Sequence, residues 1–140
     1  MAKEFMLMSD PNPTIYRNVR ISSQAYSIGD AVQLSRSAYD VTPATAATIN
    51  ADIFGVAMEA VAATATTLLV CLITRAQVWA ADVNATANAA HNFQRMILTD
   101  KGTVNNTGTD SAASAAIFTQ IAPITTSRVA GSFNIGASVS

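Results

Sequence analysis

Leu68-Leu69-Val70-Cys71-Leu72-Ile73 is the stretch that decides the fold. It is apolar at odd and even positions alike, as in a strand covered on both faces. The run is too short and too rich in branched side chains to favour a buried helix. It is therefore expected to be the central strand, with Cys71 as a small buried hydrophobe inside it. Cys71 is the sole cysteine, so no intramolecular disulfide can form.

Working outward, the chain reads as short strands parted by turn residues. Ile15, Val19 and Ile21 share one parity with Arg17, while Tyr16, Asn18 and Arg20 hold the other, as in a half-buried strand. Gly29-Asp30 marks a turn, after which Val32 and Leu34 alternate with Gln33 and Ser35. Residues 41–48 lack a clean period and read as a connection leading to Ile49, Ala51 and Ile53. Gly55 interrupts an apolar stretch and points to a bulge or a close backbone approach. Val78 and Ala80 alternate with Gln77 and Trp79, a strand whose indole needs a hydrogen-bond acceptor once buried.

Two readings stay open over residues 84–98. Either Asn84 caps a short helix with Ala89, Phe93, Met96 and Ile97 on one face, or residues 93–99 form a strand. Residues 105–110, Asn-Asn-Thr-Gly-Thr-Asp, are a loop signal. Ile117, Phe118, Ile121 and Ile124 follow, and Pro123 and Gly131 part them from a last strand around Phe133 and Ile135. The pattern predicts an all-β (mainly β) chain, a compact barrel or sandwich in one domain. Residues 1–14, broken by Asp10-Pro11-Asn12-Pro13, read as an extended N-terminal arm, and residues 15–140 as the β domain.

Composition narrows the function. Half of the 140 residues are hydrophobic and 12% are charged, against about 25% charged in ordinary soluble domains. With so much Ala, Thr and Ser, the surface is bland and suits permanent contacts with neighbours. Net charge is −1, and Lys3, Arg17, Arg20, Arg36, Arg75, Arg95, Lys101 and Arg128 stand singly, so no basic stripe awaits a nucleic acid. The apolar cluster of residues 5–8 is too brief for a signal peptide core. The uncharged stretches 60–74 and 111–127 are too short and too hydroxyl-rich for a membrane span.

Chemistry finds little to work with. One histidine, His91, and one cysteine cannot assemble a multi-ligand zinc site. The nine acids form no compact calcium cluster or paired-carboxylate spacing, and Asp30, Asp40, Asp100 and Asp110 read as turn residues. There is no Gly-x-Ser-x-Gly elbow beside His91, and the glycines stand alone, without a phosphate-binding loop. The sequons at Asn84 and Asn105 carry no weight without a secretion signal. No catalytic residue, metal ligand or cofactor is expected, and the chain is not expected to be an enzyme.

The order of segments carries a resemblance. Ser27-Ile28-Gly29-Asp30-Ala31-Val32, Ile53-Phe54-Gly55-Val56-Ala57, the apolar strand running into Gln77-Val78-Trp79, and the loop from Val104 to Asp110 together resemble tailed-bacteriophage capsid decoration, or cement, proteins. The resemblance spans residues 25–135. It implies a β-barrel or β-tulip-like domain, often a homotrimer, on the outer surface of an icosahedral virion head made in the host cytoplasm. There it would bridge subunits of the major capsid protein without bond chemistry. Phe5, Met6, Leu7 and Met8 of the arm, with Ile15 and Tyr16, are the expected interface, inserting in a neighbour's groove or adding a strand to its edge. The alternatives are a small-molecule or glycan-binding barrel using Trp79, Tyr16, Tyr26 and Tyr39 for stacking, or another virion part such as a head fibre.

Overall fold

The computed structural model describes residues 5–10, 12–21, 23–35, 40–75, 77–107 and 116–134. Half of the described residues are in strands and about 3% in helix, as an all-β barrel or sandwich requires. The strands are β1 (Met6–Ser9), β2 (Ile15–Arg20), β3 (Ala31–Ser35), β4 (Asp40–Pro43), β5 (Ile53–Ala57), β6 (Thr67–Leu72), β7 (Val78–Val83), β8 (Arg95–Met96), β9 (Leu98–Asp100), β10 (Thr103–Val104), β11 (Phe118–Pro123) and β12 (Arg128–Phe133).

They form two sheets. The larger runs β8-β11-β12-β7-β10-β9, with β1 also paired to β7. Because β8 and β9 are two pieces of one run parted at Ile97, one pairing with β11 and the other with β10, this sheet comes nearly round into a barrel. The smaller sheet runs β2-β6-β5-β3-β4, and a bridge between Ile21 and Val41 ties its outer strands.

Between the sheets lies the main core, where Trp79, Phe118, Phe133, Leu98 and Val129 of the larger sheet meet Ile53, Val56, Cys71 and Ile73. The opposite face of the small sheet is buried too, with Val32, Ala57, Leu68 and Val70 under Ile21 and Tyr26. This is why β6 is apolar at both parities: Leu68 and Val70 serve one core, Cys71 and Ile73 the other. β6 is an interior strand between β2 and β5, although the middle place in the order belongs to β5.

Gly55 answers to both readings made of it. Ile53 pairs with Gln33 and Gly55 with Val32, so Phe54 is bulged out of register. A Cβ on Gly55 would run into Val70 Cγ1 and lie 2.6 Å from the Cys71 carbonyl oxygen. Trp79 finds its acceptor in Gln77 Oε1 at 3.0 Å.

Four segments differ from expectation. Residues 41–43 belong to β4, because Val41 faces the second core and Pro43, which cannot donate to a ladder, closes an outer strand. The short helix over 84–98 shrinks to one 3-10 turn, Ala89–His91, capped by Asn88, whose Oδ1 accepts from the Ala90 N–H at 2.9 Å. Asn84 is occupied elsewhere, accepting from the Asn106 N–H at 2.9 Å. Residues 5–10, read as part of the arm, lie inside the domain: Phe5 is in the main core and β1 runs along β7, Leu7 opposite Trp79. The last strand ends at Phe133, and Ile135 lies outside the described residues, as do Gly108, Thr109 and Asp110.

Candidate interaction surface

The six residues expected to make an interface divide into buried and exposed. Phe5 is 3% exposed and packs its ring 4.9 Å from Phe133. Leu7 leans on the same core. Met6 points the other way and Met8 sits where the β1–β7 register slips, and the two are 56% and 52% exposed. Ile15 and Tyr16 are exposed on β2, where the Tyr16 ring stacks on Phe54 at 6.0 Å. The structure thus brings Met6, Met8, Ile15 and Tyr16 to the surface and takes Phe5 and Leu7 inside.

β1 also offers backbone. One edge is hydrogen-bonded to β7, and among the described residues no strand pairs with the other. An edge strand carrying two exposed methionines can accept a further strand, with flexible thioethers that adapt to the surface they meet.

A second apolar region was not read from the sequence. Phe93 is 75% exposed and sits at φ 67°, a left-handed conformation that costs a bulky residue energy. The buried Gln120 holds that conformation: its carbonyl accepts from the Phe93 N–H at 2.6 Å, and its Nε2 donates to Asn88 O and Asn92 Oδ1 at 2.9 and 2.8 Å. Ile121 beside it and Ile124 further on are exposed as well. Apolar spacing alone put Phe93 on a helix face, and only the turn geometry shows it displayed.

A groove of about 470 Å³ opens at the rim of the small sheet, lined by Val19, Leu34, Val41 and Phe54 with Arg20 and Asp40. The aromatic residues named for a ligand-binding barrel are otherwise placed. Trp79 and Tyr26 are buried, and Tyr39 lies outside the described residues.

No catalytic constellation takes shape among the described residues. His91 sits on the 3-10 turn with Nδ1 unbonded, so no carboxylate orients its ring as a triad requires. Cys71 is buried, and desolvation, reinforced by Asp10, pushes its thiol above the ordinary range, the opposite of an activated nucleophile. Among the described residues no group of three or more His, Cys, Asp and Glu comes together. No helix among these residues is long and apolar enough to cross a membrane. Both sequons fall on a polar clamp in which Asn106 Oδ1 accepts from the Ala85 N–H at 3.0 Å and its Nδ2 donates to Ala85 O at 3.1 Å.

No protein-family model matches this chain, and no curated protein matches it.

Proposed function

We propose that this chain is a structural protein of a viral particle, built to be covered by neighbours. Within that class it acts as a decoration subunit, seated on the outside of an icosahedral phage head, self-associated as a trimer and bridging major capsid subunits. It performs no bond chemistry.

One observation carries this reading: in a chain with 12% charged residues, Met6 and Met8 stand exposed on an edge strand whose inward residues are locked into the core. A rigid strand with an open edge and an apolar outer row is costly in water unless a partner covers it. The exposed Phe93 and Ile121 add a second apolar contact, so one subunit has two places to grip. Many copies, each bound modestly, multiply the hold on a shell through avidity.

The test uses heads lacking the protein. Adding back the native chain should restore full occupancy and raise the temperature at which heads release their genome. The doubly substituted Met6→Asp, Met8→Asp chain should fold yet occupy heads weakly. A native chain that stays a dispersed monomer at high concentration and binds no head would sink the reading.

A further inference from the structure

The outer face of the larger sheet carries a row of polar side chains that packing does not explain. Arg128 pairs with Asp82 across β12 and β7, Asp82 with Thr103 across β7 and β10, and Thr103 with Asp100 across β10 and β9. Residues directly opposite on paired strands share a face, so these four form one cross-strand line. Asp100 joins it through an irregularity: Val104 pairs with Leu98 and Thr103 with Asp100, leaving Thr99 as an extra residue. Without that bulge Asp100 would share the inward face of Leu98. Bulges of this kind re-aim a side chain next to functional sites.

Between Asp82 and Asp100 in this line lies an unanswered group. Thr103 is 2% exposed and its Oγ1 has no hydrogen-bond partner. A buried hydroxyl left unpaired in a native fold calls for a ligand or another explanation. Asp82, Asp100 and Thr103 line a pocket of about 370 Å³ together with Val83, Asn84, Thr99 and Ser127.

We propose that this pocket binds a divalent cation of calcium's size and oxygen preference, held by Asp82, Asp100 and the hydroxyl of Thr103. Adjacent strands lie about 4.8 Å apart, so carboxylates flanking the Thr103 strand stand roughly 10 Å apart at Cα. Two aspartates reaching inward from that span can meet one ion at oxygen distances of about 2.4 Å, with hydroxyls and water filling the remaining positions. Existing bonds use one oxygen of each carboxylate: Arg128 contacts Asp82 Oδ1, and Asp100 Oδ1 accepts from the Gly102 N–H at 2.8 Å. Because the Arg128 charge offsets one carboxylate, the affinity belongs with weak sites, on the order of 0.1–1 mM.

The test is a titration of the full chain with calcium chloride, followed by calorimetry and by thermal unfolding. At 10 mM the melting temperature should rise by about 5 °C, more than with magnesium chloride and unlike sodium chloride at matched ionic strength. Asp100→Asn should abolish the rise. Thr103→Val should abolish it too while keeping a calcium-free melting temperature at or above that of the native chain, since the unpaired hydroxyl is gone. Thr103→Ser, which keeps the oxygen, should retain the rise. No rise, an equal rise in sodium chloride, or a full rise in both Asp100→Asn and Thr103→Val would overturn the proposal.

Discussion

The ring of Phe5 lies 4.9 Å from the ring of Phe133, tilted by 51°, and 6.0 Å from that of Phe118. Phe118 and Phe133 meet edge to face, and Trp79 meets Phe133 the same way at 5.8 Å. A residue near the start of the chain thus closes an aromatic cluster built from β7, β11 and β12. The Phe5 N–H also donates to Gly29 O at 2.9 Å, tying the segment to the turn before β3.

Phe5→Ala should therefore cost about 3–5 kcal/mol, the range for emptying a core aromatic site. Deleting residues 2–13 should cost more, because β1 leaves with the ring and uncovers one edge of β7. Urea unfolding followed by tryptophan fluorescence measures both. A deletion as stable as the full chain would show that this segment is an accessory to the fold. Met6→Asp, on the opposite parity, should change stability by less than about 0.5 kcal/mol, as exposed positions do.

Gly131 makes the second prediction. It lies so close to β11 that a Cβ there would collide with Thr119 O and the Phe118 ring, Cζ lying 2.6 Å away. The colliding carbonyl is backbone and cannot rotate aside. Gly131→Ala should destabilise the protein by about 1–3 kcal/mol, the ordinary cost of overpacking, read as a lower denaturant midpoint. No loss would mean that β11 and β12 can spread.

Much of this fold is legible in the residues themselves, and the parts that are not share a cause. The apolar run 68–73 announces a strand with two buried faces because each parity must satisfy a different core. Gly55 announces a close approach because no other residue would fit between β5 and Val70. What escapes is parity after a bulge. Asn18, at φ 58°, lies where β2 slips against β6, so Tyr16 and Val19 end up on one face despite their odd spacing. Phe54 and Thr99 are shifted likewise, and Asp100 joins Asp82 for that reason alone. The slips at Asn18 and Phe54 depend on pairing across strands far apart in sequence, as does the exposure of Phe93, which rests on Gln120.

Gln77 supplies a third prediction. Its amide is 1% exposed and saturated: Oε1 accepts from Trp79 Nε1 and the Thr74 N–H at 3.0 and 2.8 Å, while Nε2 donates to Asp10 Oδ2 and Leu72 O, both at 3.0 Å. Gln77→Leu leaves these partners unanswered, and each buried orphan costs about 1–3 kcal/mol. Thermal unfolding should show a loss of several degrees, with a red-shifted tryptophan emission as water gains access to the indole. An unshifted spectrum and an unchanged midpoint would mean that the network contributes nothing net.

Cys71 gives a prediction in pH. Its side chain sits within the main core, and burial raises its pKa above the free value, with Asp10 adding to the shift. The folded state therefore favours the neutral thiol, whereas an unfolded chain ionises it near pH 8.5. Below that pH both states hold the proton, and the group makes no pH-dependent difference. Above it the unfolded state gives up its proton first, so stability falls as pH climbs toward the folded pKa. The difference between the native chain and Cys71→Ala isolates this effect from the lysines and tyrosines. Denaturant midpoints taken from pH 7 to pH 10 should show the native chain losing stability above about pH 8.5 more steeply than the variant. In parallel, a thiol reagent at pH 8 should leave the folded protein unmodified and label it fully in denaturant. Rapid labelling of the native state, or parallel pH curves for the two proteins, would show that the thiol is open to solvent.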